Sequence, residues 1–366
     1  MTSPHPRSTT YYWKCDRPAA FYGTEERDRT KTGYEPLLEN ELHRVFADNK
    51  ISVAPAAAQG NHLTFIAVVG GIERFVRVDD GPEHDDMIEV ESRILSCVRE
   101  LGLPAPRVYA VDASRARVPF AWQVMDLVAA PDLNQAFKAG TLDTPRVFRE
   151  IGAAVARWQS LTFRGFGPFD PAALREENRL HGFHSSYADF FHLHLERHLD
   201  FLTARAFLRP SEAEAMRQAI ADHCDLFDFA EGCLVHKDLA LWNILGTPNA
   251  VAAYIDWDDA IAGDALEDLA LLGCFHDAAT IAAAVGGYES VRPLPTEHRR
   301  RFWLHLLRNM IMKSVIRVGA GYFDRSDSFF LIGSGSGGAS LKQFTRERLA
   351  KALAGLRTDA PLSQLA

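Results

Sequence analysis

The chain has 366 residues, 47% hydrophobic and 24% charged, with a formal net charge of −8 at pH 7. That is globular composition, enough for a sizeable core and two domains or lobes. The acidic balance argues against nucleic-acid binding through a general basic field, and no apolar run approaches the roughly eighteen residues of a membrane helix. The five cysteines, Cys15, Cys97, Cys224, Cys233 and Cys274, lack CxxC spacing and read as reduced thiols of a cytoplasmic protein. The N-terminus MTSPHPRSTTYYWK has no apolar core of a secretory signal.

Residues 1–34 are polar and read as an irregular extension, with Tyr11, Tyr12, Trp13 and Phe21 available to dock on the body. From Glu35 to Asp48, Leu38, Leu42, Val45 and Phe46 recur at helical spacing. A hairpin and a third strand follow: Ile51–Val53, Leu63–Val69 and Glu73–Val78, with turns at Gln59–His62 and Gly70-Gly71. Asp85–Leu101 reads as a helix with a Val90, Ile94, Val98, Leu101 stripe, stopped by Gly102 and Pro104. Arg107–Val111 and Phe120–Met125 read as strands, and Asp126-Leu127 opens a polar crossing.

Thr144-Pro145 starts a helix to Leu161, with Val147, Ile151, Val155 and Trp158 on its buried side. Gly165–Phe169 reads as a turn-rich loop. The stretch His181–His198 is rich in histidine. His194 and His198 stand four apart and could share a metal, but no cysteine and no HExxH order accompanies them, so core or solvated histidines are the simpler reading. Tyr187, Asp189 and Glu196 could face a polyhydroxylated or cationic molecule. Further helices are expected at 211–229, 266–272, 278–285, 297–318 and 340–356.

The stretch Leu234–Leu269 carries the chemistry. Asp238 follows the apolar Cys233-Leu234-Val235, Asn243 comes five positions later, and Asp256 ends the run Val251–Ile255. Gly246, Pro248 and Asn249 break the runs into a small hairpin. An H-x-D-x-x-x-x-N loop followed by a strand-end Asp suits phosphoryl transfer. Asp238 would accept the proton of an incoming hydroxyl. Asn243 and Asp256 supply the hard oxygen ligands that Mg²⁺ prefers. His236 braces the loop rather than reacting.

These residues, with Gly263-Asp264 and Asp268-Leu269-Ala270, resemble the aminoglycoside phosphotransferases and their relatives, small-molecule kinases of the protein-kinase-like fold. Further matches run from about Gln59 to about Asp268. Lys237 stands where the family usually has Gly, and Trp158-Gln159 where relatives often have Leu-His. The Gly165–Phe169 stretch is of a kind associated with the family's sugar-antibiotic kinases.

The resemblance implies an α+β fold: a β-rich N-lobe at 35–127, a larger mainly helical C-lobe at 128–366, and MgATP in the cleft between them, with GTP an alternative donor. It implies that Arg77, where a kinase usually has Lys, pairs with the nucleotide phosphates and with Glu91. Glu89, two residues away, points to another helix face. The turn at Gly60 would cover the phosphates, backbone groups around Met125–Leu127 would meet the adenine edge, and Asp268 would brace the loop. Asp258 is an additional candidate acid. The expected acceptor is a hydroxyl of a small molecule, with an aminoglycoside, another amino sugar, a choline-like alcohol and a nucleoside-like compound all open.

Two other readings are weighed. A nucleotide-binding relative without catalysis would account for Lys237 and Arg77. A Rossmann-type oxidoreductase is suggested by Phe329–Ile332 running into Gly333-Ser-Gly335-Ser-Gly-Gly338, but that site needs further parallel strands and few residues follow.

Overall fold

The structure, a computed structural model, describes residues 5–16, 33–47, 50–56, 62–324 and 338–365. They form two compact units: residues 33–130 with 252–258, and residues 5–16, 131–251 and 259–365.

The smaller unit is built on one five-stranded antiparallel sheet. Its strands are β1 (Ile51–Pro55), β2 (Leu63–Val69), β3 (Ile72–Asp79), β4 (Val108–Asp112) and β5 (Ala121–Asp126), in the order β1-β2-β3-β5-β4. Alternation along β2 buries Leu63, Phe65, Ala67 and Val69 on one face. They join Leu38 and Leu42 of the Glu35–Phe46 helix in one core with Phe120, Trp122 and Val124. The Met87–Glu100 helix, between β3 and β4, buries Val90, Ile94 and Val98 as its spacing predicts. It also buries Glu91, which no apolar stripe explains.

The larger unit is mainly helical. Its sheet has strands β6 (Thr162–Phe163), β7 (Phe166–Phe169), β8 (Gly182–His184), β9 (Gly232–Val235) and β12 (Ile261–Gly263), in the order β6-β9-β12-β7-β8. Between β9 and β12 in the chain comes a two-stranded ribbon of β10 (Ile244–Thr247) and β11 (Ala250–Tyr254), with the boundary of the two units falling inside β11. The Thr144–Trp158 and Ala278–Glu289 helices cross at glycines. A Cβ on Gly152 would lie 1.8 Å from the Ala284 carbonyl oxygen, and one on Gly287 would lie 1.9 Å from that of Arg149. The His298–Gly319 helix runs through the core, burying its side chains from Phe302 to Arg317.

Some expectations are corrected. The predicted 211–229 helix ends at Ala221 and gives way to a 3-10 turn, Cys224–Phe227. The histidine-rich stretch begins in β8 and continues as two short helices, Tyr187–Phe191 and Leu195–Ala204, divided at His194, whose φ is +55°. Phe166–Phe169 is a buried strand, not a loop. The described part of the extension holds a short helix, Trp13–Asp16, with Tyr11, Tyr12 and Trp13 buried, whereas Phe21 lies outside the described residues. Among the described residues both five-stranded sheets are antiparallel throughout and offer no parallel crevice of the kind a Rossmann site requires. The Gly/Ser run at 333–337 lies outside the described residues, and the helix after it is Gly338–Thr358.

Candidate active site

In the smaller unit the site begins with sheet register. Arg77 on β3 stands directly opposite Gln123 on β5, so both side chains leave the same face of the sheet. Both reach Glu91. One Arg77 guanidinium nitrogen lies 2.7 Å from each Glu91 carboxylate oxygen, and Gln123 donates to the second of them. The Trp257 backbone N–H donates to Glu91 Oε1 at 3.0 Å. Glu91 thereby also fixes the chain just after Asp256.

Arg77 extends the cluster. It lies 3.3 Å from Asp256 Oδ1 and 2.9 Å from Asp258 Oδ2, and His62 Nε2 lies 3.0 Å from the same Asp258 oxygen. Burial alone would lower the Arg77 pKa; Glu91, Asp258 and Asp256 outweigh it and raise it, so the guanidinium stays charged. Asp256 has φ +66°, a left-handed backbone that costs a non-glycine residue roughly 1–3 kcal/mol and that clusters at functional positions.

In the larger unit Asp238 sits between two donors. Asn243 Nδ2 donates to the Asp238 carbonyl at 2.8 Å and to its Oδ2 at 3.1 Å, while Lys313 Nζ donates to Oδ1 at 3.0 Å. Burial would raise the Asp238 pKa; Lys313 and Lys14 outweigh it and hold the carboxyl below its ordinary value. The group is therefore an oriented carboxylate, able to accept a proton. The Asn243 side-chain nitrogen is committed to Asp238, so its carbonyl oxygen is the atom it can offer to a cation. That oxygen and the Asp256 carboxylate are donors of the kind Mg²⁺ takes.

The loop around Asp238 is anchored by Asp268. Its Oδ2 accepts from the His236 N–H at 3.0 Å and from Trp158 Nε1 at 3.1 Å; its Oδ1 accepts from the Lys237 N–H at 3.2 Å. Trp158, where relatives often have leucine, is thus part of the anchor. His236 is fully buried, its ring tilted 49° to that of Trp158 with centroids 6.4 Å apart.

Lys237 takes φ +67°, the left-handed region that glycine enters freely and lysine does not. Its ammonium is buried, 2.5 Å from Glu267 Oε2 and 3.0 Å from the Tyr11 hydroxyl. Glu267 and Tyr11 keep it charged against the effect of burial. The residue that replaces glycine therefore ties the loop to the N-terminal segment. Motif reasoning missed Lys313, Glu267 and Tyr11, because their partners lie far away in sequence.

Other expected residues fall as follows. Gly60 lies outside the described residues. Met125 is buried near the end of β5, and Leu127 follows it half-buried. Tyr187 does not face an acceptor; it is core, donating to Glu267, and Glu196 pairs with Arg217. His194 and His198 turn to separate partners. His194 meets the Thr9 carbonyl at 2.7 Å, and His198 lies between Asp16 at 2.8 Å and Arg308 at 3.2 Å. Cys15 lies 3.8 Å from the same His198 nitrogen, but the buried Arg308 guanidinium makes that cluster an ion-pair network. All five cysteines are unpaired thiols.

A sequence model of the phosphotransferase enzyme family matches residues 53–303. The chain belongs to that family. The match takes in Arg77, Glu91, Asp238, Asn243, Asp256 and Asp268. No curated protein matches the sequence. Among solved structures, aminoglycoside phosphotransferase APH(4)-Ia is similar over 88% of this chain and 99% of its own, at 17% identity and a TM-score of 0.59. A thermostable mutant of that enzyme, solved as a ternary complex with ADP and hygromycin B, gives 0.56 at 17% identity, covering 86% and 98%. The streptomycin–ATP complex of APH(2″)-IIa gives 0.53 at 15% identity, covering 89% and 99%. At these identities the likeness establishes the fold: α+β and protein-kinase-like, with a β-rich and a mainly helical unit. Among the described residues no helix is long and apolar enough to cross a membrane.

Proposed function

We propose that this member of the phosphotransferase family is a small-molecule kinase, moving the γ-phosphoryl group of ATP, or alternatively GTP, to a hydroxyl of an aminoglycoside or other amino sugar. The observation that carries the reading is Asp238, kept ionised by Lys313 and oriented by Asn243 on its other oxygen. Asp238 takes the acceptor's hydroxyl proton as the new P–O bond forms and the bond to the ADP oxygen breaks. Asn243 and Asp256 are the residues that would hold Mg²⁺, with Asp258 an additional acid. Bound Mg²⁺ supplies charge neutralisation at the phosphate oxygens. Arg77, placed by Glu91, steadies the phosphates, and the backbone near Met125 and Leu127 meets the adenine. The protein's contribution is mostly orientation and fixed charge.

The acceptor class is drawn from the relatives solved with hygromycin B and streptomycin. The test is ADP release with Mg²⁺ and ATP across a panel of aminoglycosides, other amino sugars, choline-like alcohols and nucleosides. Release stimulated by one amino sugar supports the reading. Nucleotide binding with no acceptor-stimulated release would favour a non-catalytic relative. Stimulation confined to another alcohol would move the acceptor class.

A further inference from the structure

The loop from Asp238 to Asn243 reads Asp-Leu-Ala-Leu-Trp-Asn and has no cation of its own. A carboxylate that must approach an anionic phosphoryl group is repelled by it unless a positive charge lies alongside. The larger unit places one there from a distant element. We propose that Lys313, on the His298–Gly319 helix, is a positioning residue for phosphoryl transfer: it holds Asp238 in its reactive orientation and cancels its charge as the phosphoryl group approaches. The proposal rests on Asp238 being the proton acceptor.

Three observations carry it. Lys313 donates to Oδ1 at 3.0 Å, while Asn243 donates to Oδ2, so the two donors fix both the position and the rotation of the carboxylate. Each oxygen keeps lone-pair capacity for an incoming hydroxyl. The ammonium is otherwise bounded by aromatic faces, with Tyr12 at 5.1 Å and Phe275 at 5.4 Å, and Lys313 is only 8% exposed. Among the described residues Asp238 is the carboxylate it pairs with, and a buried ammonium keeps to such a partner. Finally, the helix carrying it is buried from Phe302 to Arg317, which denies Lys313 the freedom of a surface lysine.

The experiment is a double-mutant cycle on kcat for Lys313→Met and Asp238→Asn. It uses the best acceptor of the panel, or water if none exceeds it, with nucleotide affinity and Tm measured alongside. Lys313→Met should lower kcat by about 10- to 100-fold, the worth of one charged hydrogen bond, with acceptor KM and nucleotide Kd within about threefold. Lys313→Arg should recover part of the loss. In the Asp238→Asn background the same change should cost less than about twofold. Equal losses in both backgrounds would reduce Lys313 to a packing residue and overturn the proposal. So would an unchanged kcat in Lys313→Met while Asp238→Asn is inactive, and the phosphotransfer reading would then survive. Full activity in Asp238→Asn would instead remove that reading and this proposal together. Where Lys313→Met lowers Tm too far to assay, Lys313→Gln and Lys313→Arg complete the same cycle.

Discussion

Arg77 grips Glu91 through a single guanidinium nitrogen, 2.7 Å from both carboxylate oxygens, and this leaves its other nitrogen to reach Asp258 at 2.9 Å. A lysine has no second arm. Arg77→Lys should therefore keep the Glu91 pair and lose the Asp258 contact. We expect Tm to fall by no more than a few degrees and nucleotide affinity to change. Arg77→Met leaves Glu91 buried without its cation and should cost about 3–5 kcal/mol, reduced by the Gln123 and Trp257 donors that remain. Denaturant titration of the two variants decides this, and equal stability for both would refute it.

Asp238→Asn should lower kcat by about 10²–10⁴, the usual contribution of a general base, while nucleotide still binds. Asp256→Ala should weaken Mg²⁺-dependent nucleotide binding itself. Single-turnover rates combined with calorimetric titration separate the two. A variant pair with interchangeable defects would contradict the separate roles.

Lys237→Gly should relieve the left-handed backbone strain but strand Glu267, which is 1% exposed and among the described residues keeps the Tyr187 and Asp264 donors. The second effect is larger, since strain is worth about 1–3 kcal/mol and breaking a buried ion pair about 3–5. We expect net destabilisation despite the family's preference for glycine. Lys237→Gly with Glu267→Gln should regain part of it, read as Tm. A more stable single variant would reverse this ranking.

Asp264 gives a pH signature. Burial alone would raise its pKa; His305 at 3.0 Å and Arg301 at 2.8 Å hold it well below the ordinary 3.8. A carboxylate depressed in the folded state contributes stability that is present above about pH 3.8 and is lost as pH falls below it. Asp264→Asn should be less stable than the parent at neutral pH, with the gap narrowing below about pH 4. Unfolding free energies measured from pH 3 to 7 check this; a gap independent of pH would rule it out.

Gly152 and Gly287 set the distance between two helices through contacts with carbonyls of the facing helix. Gly152→Ala should force the helices apart and cost about 1–3 kcal/mol, as overpacking does; denaturant unfolding measures it. Nothing in the local pattern warns of this, since a glycine inside a helix only lowers helical propensity.

Much of this fold is legible in the amino-acid sequence. Helical spacing located the Glu35–Phe46, Met87–Glu100 and Thr144–Trp158 helices to within a few residues, because a buried face imposes its period on the chain. The proposed set of Asp238, Asn243 and Asp256 could be named from sequence because its members lie close together and their order follows the chemistry. The Arg77–Glu91 pair came only through resemblance to a family. Tertiary structure decided the partners. Lys313 meets Asp238 across 75 residues, Trp158 meets Asp268 across 110, and Tyr11 meets Lys237 across 226. Local sequence specifies periodicity and turn chemistry. Which charged groups become neighbours depends on how the elements pack, and burial then turns those neighbours into obligatory partners.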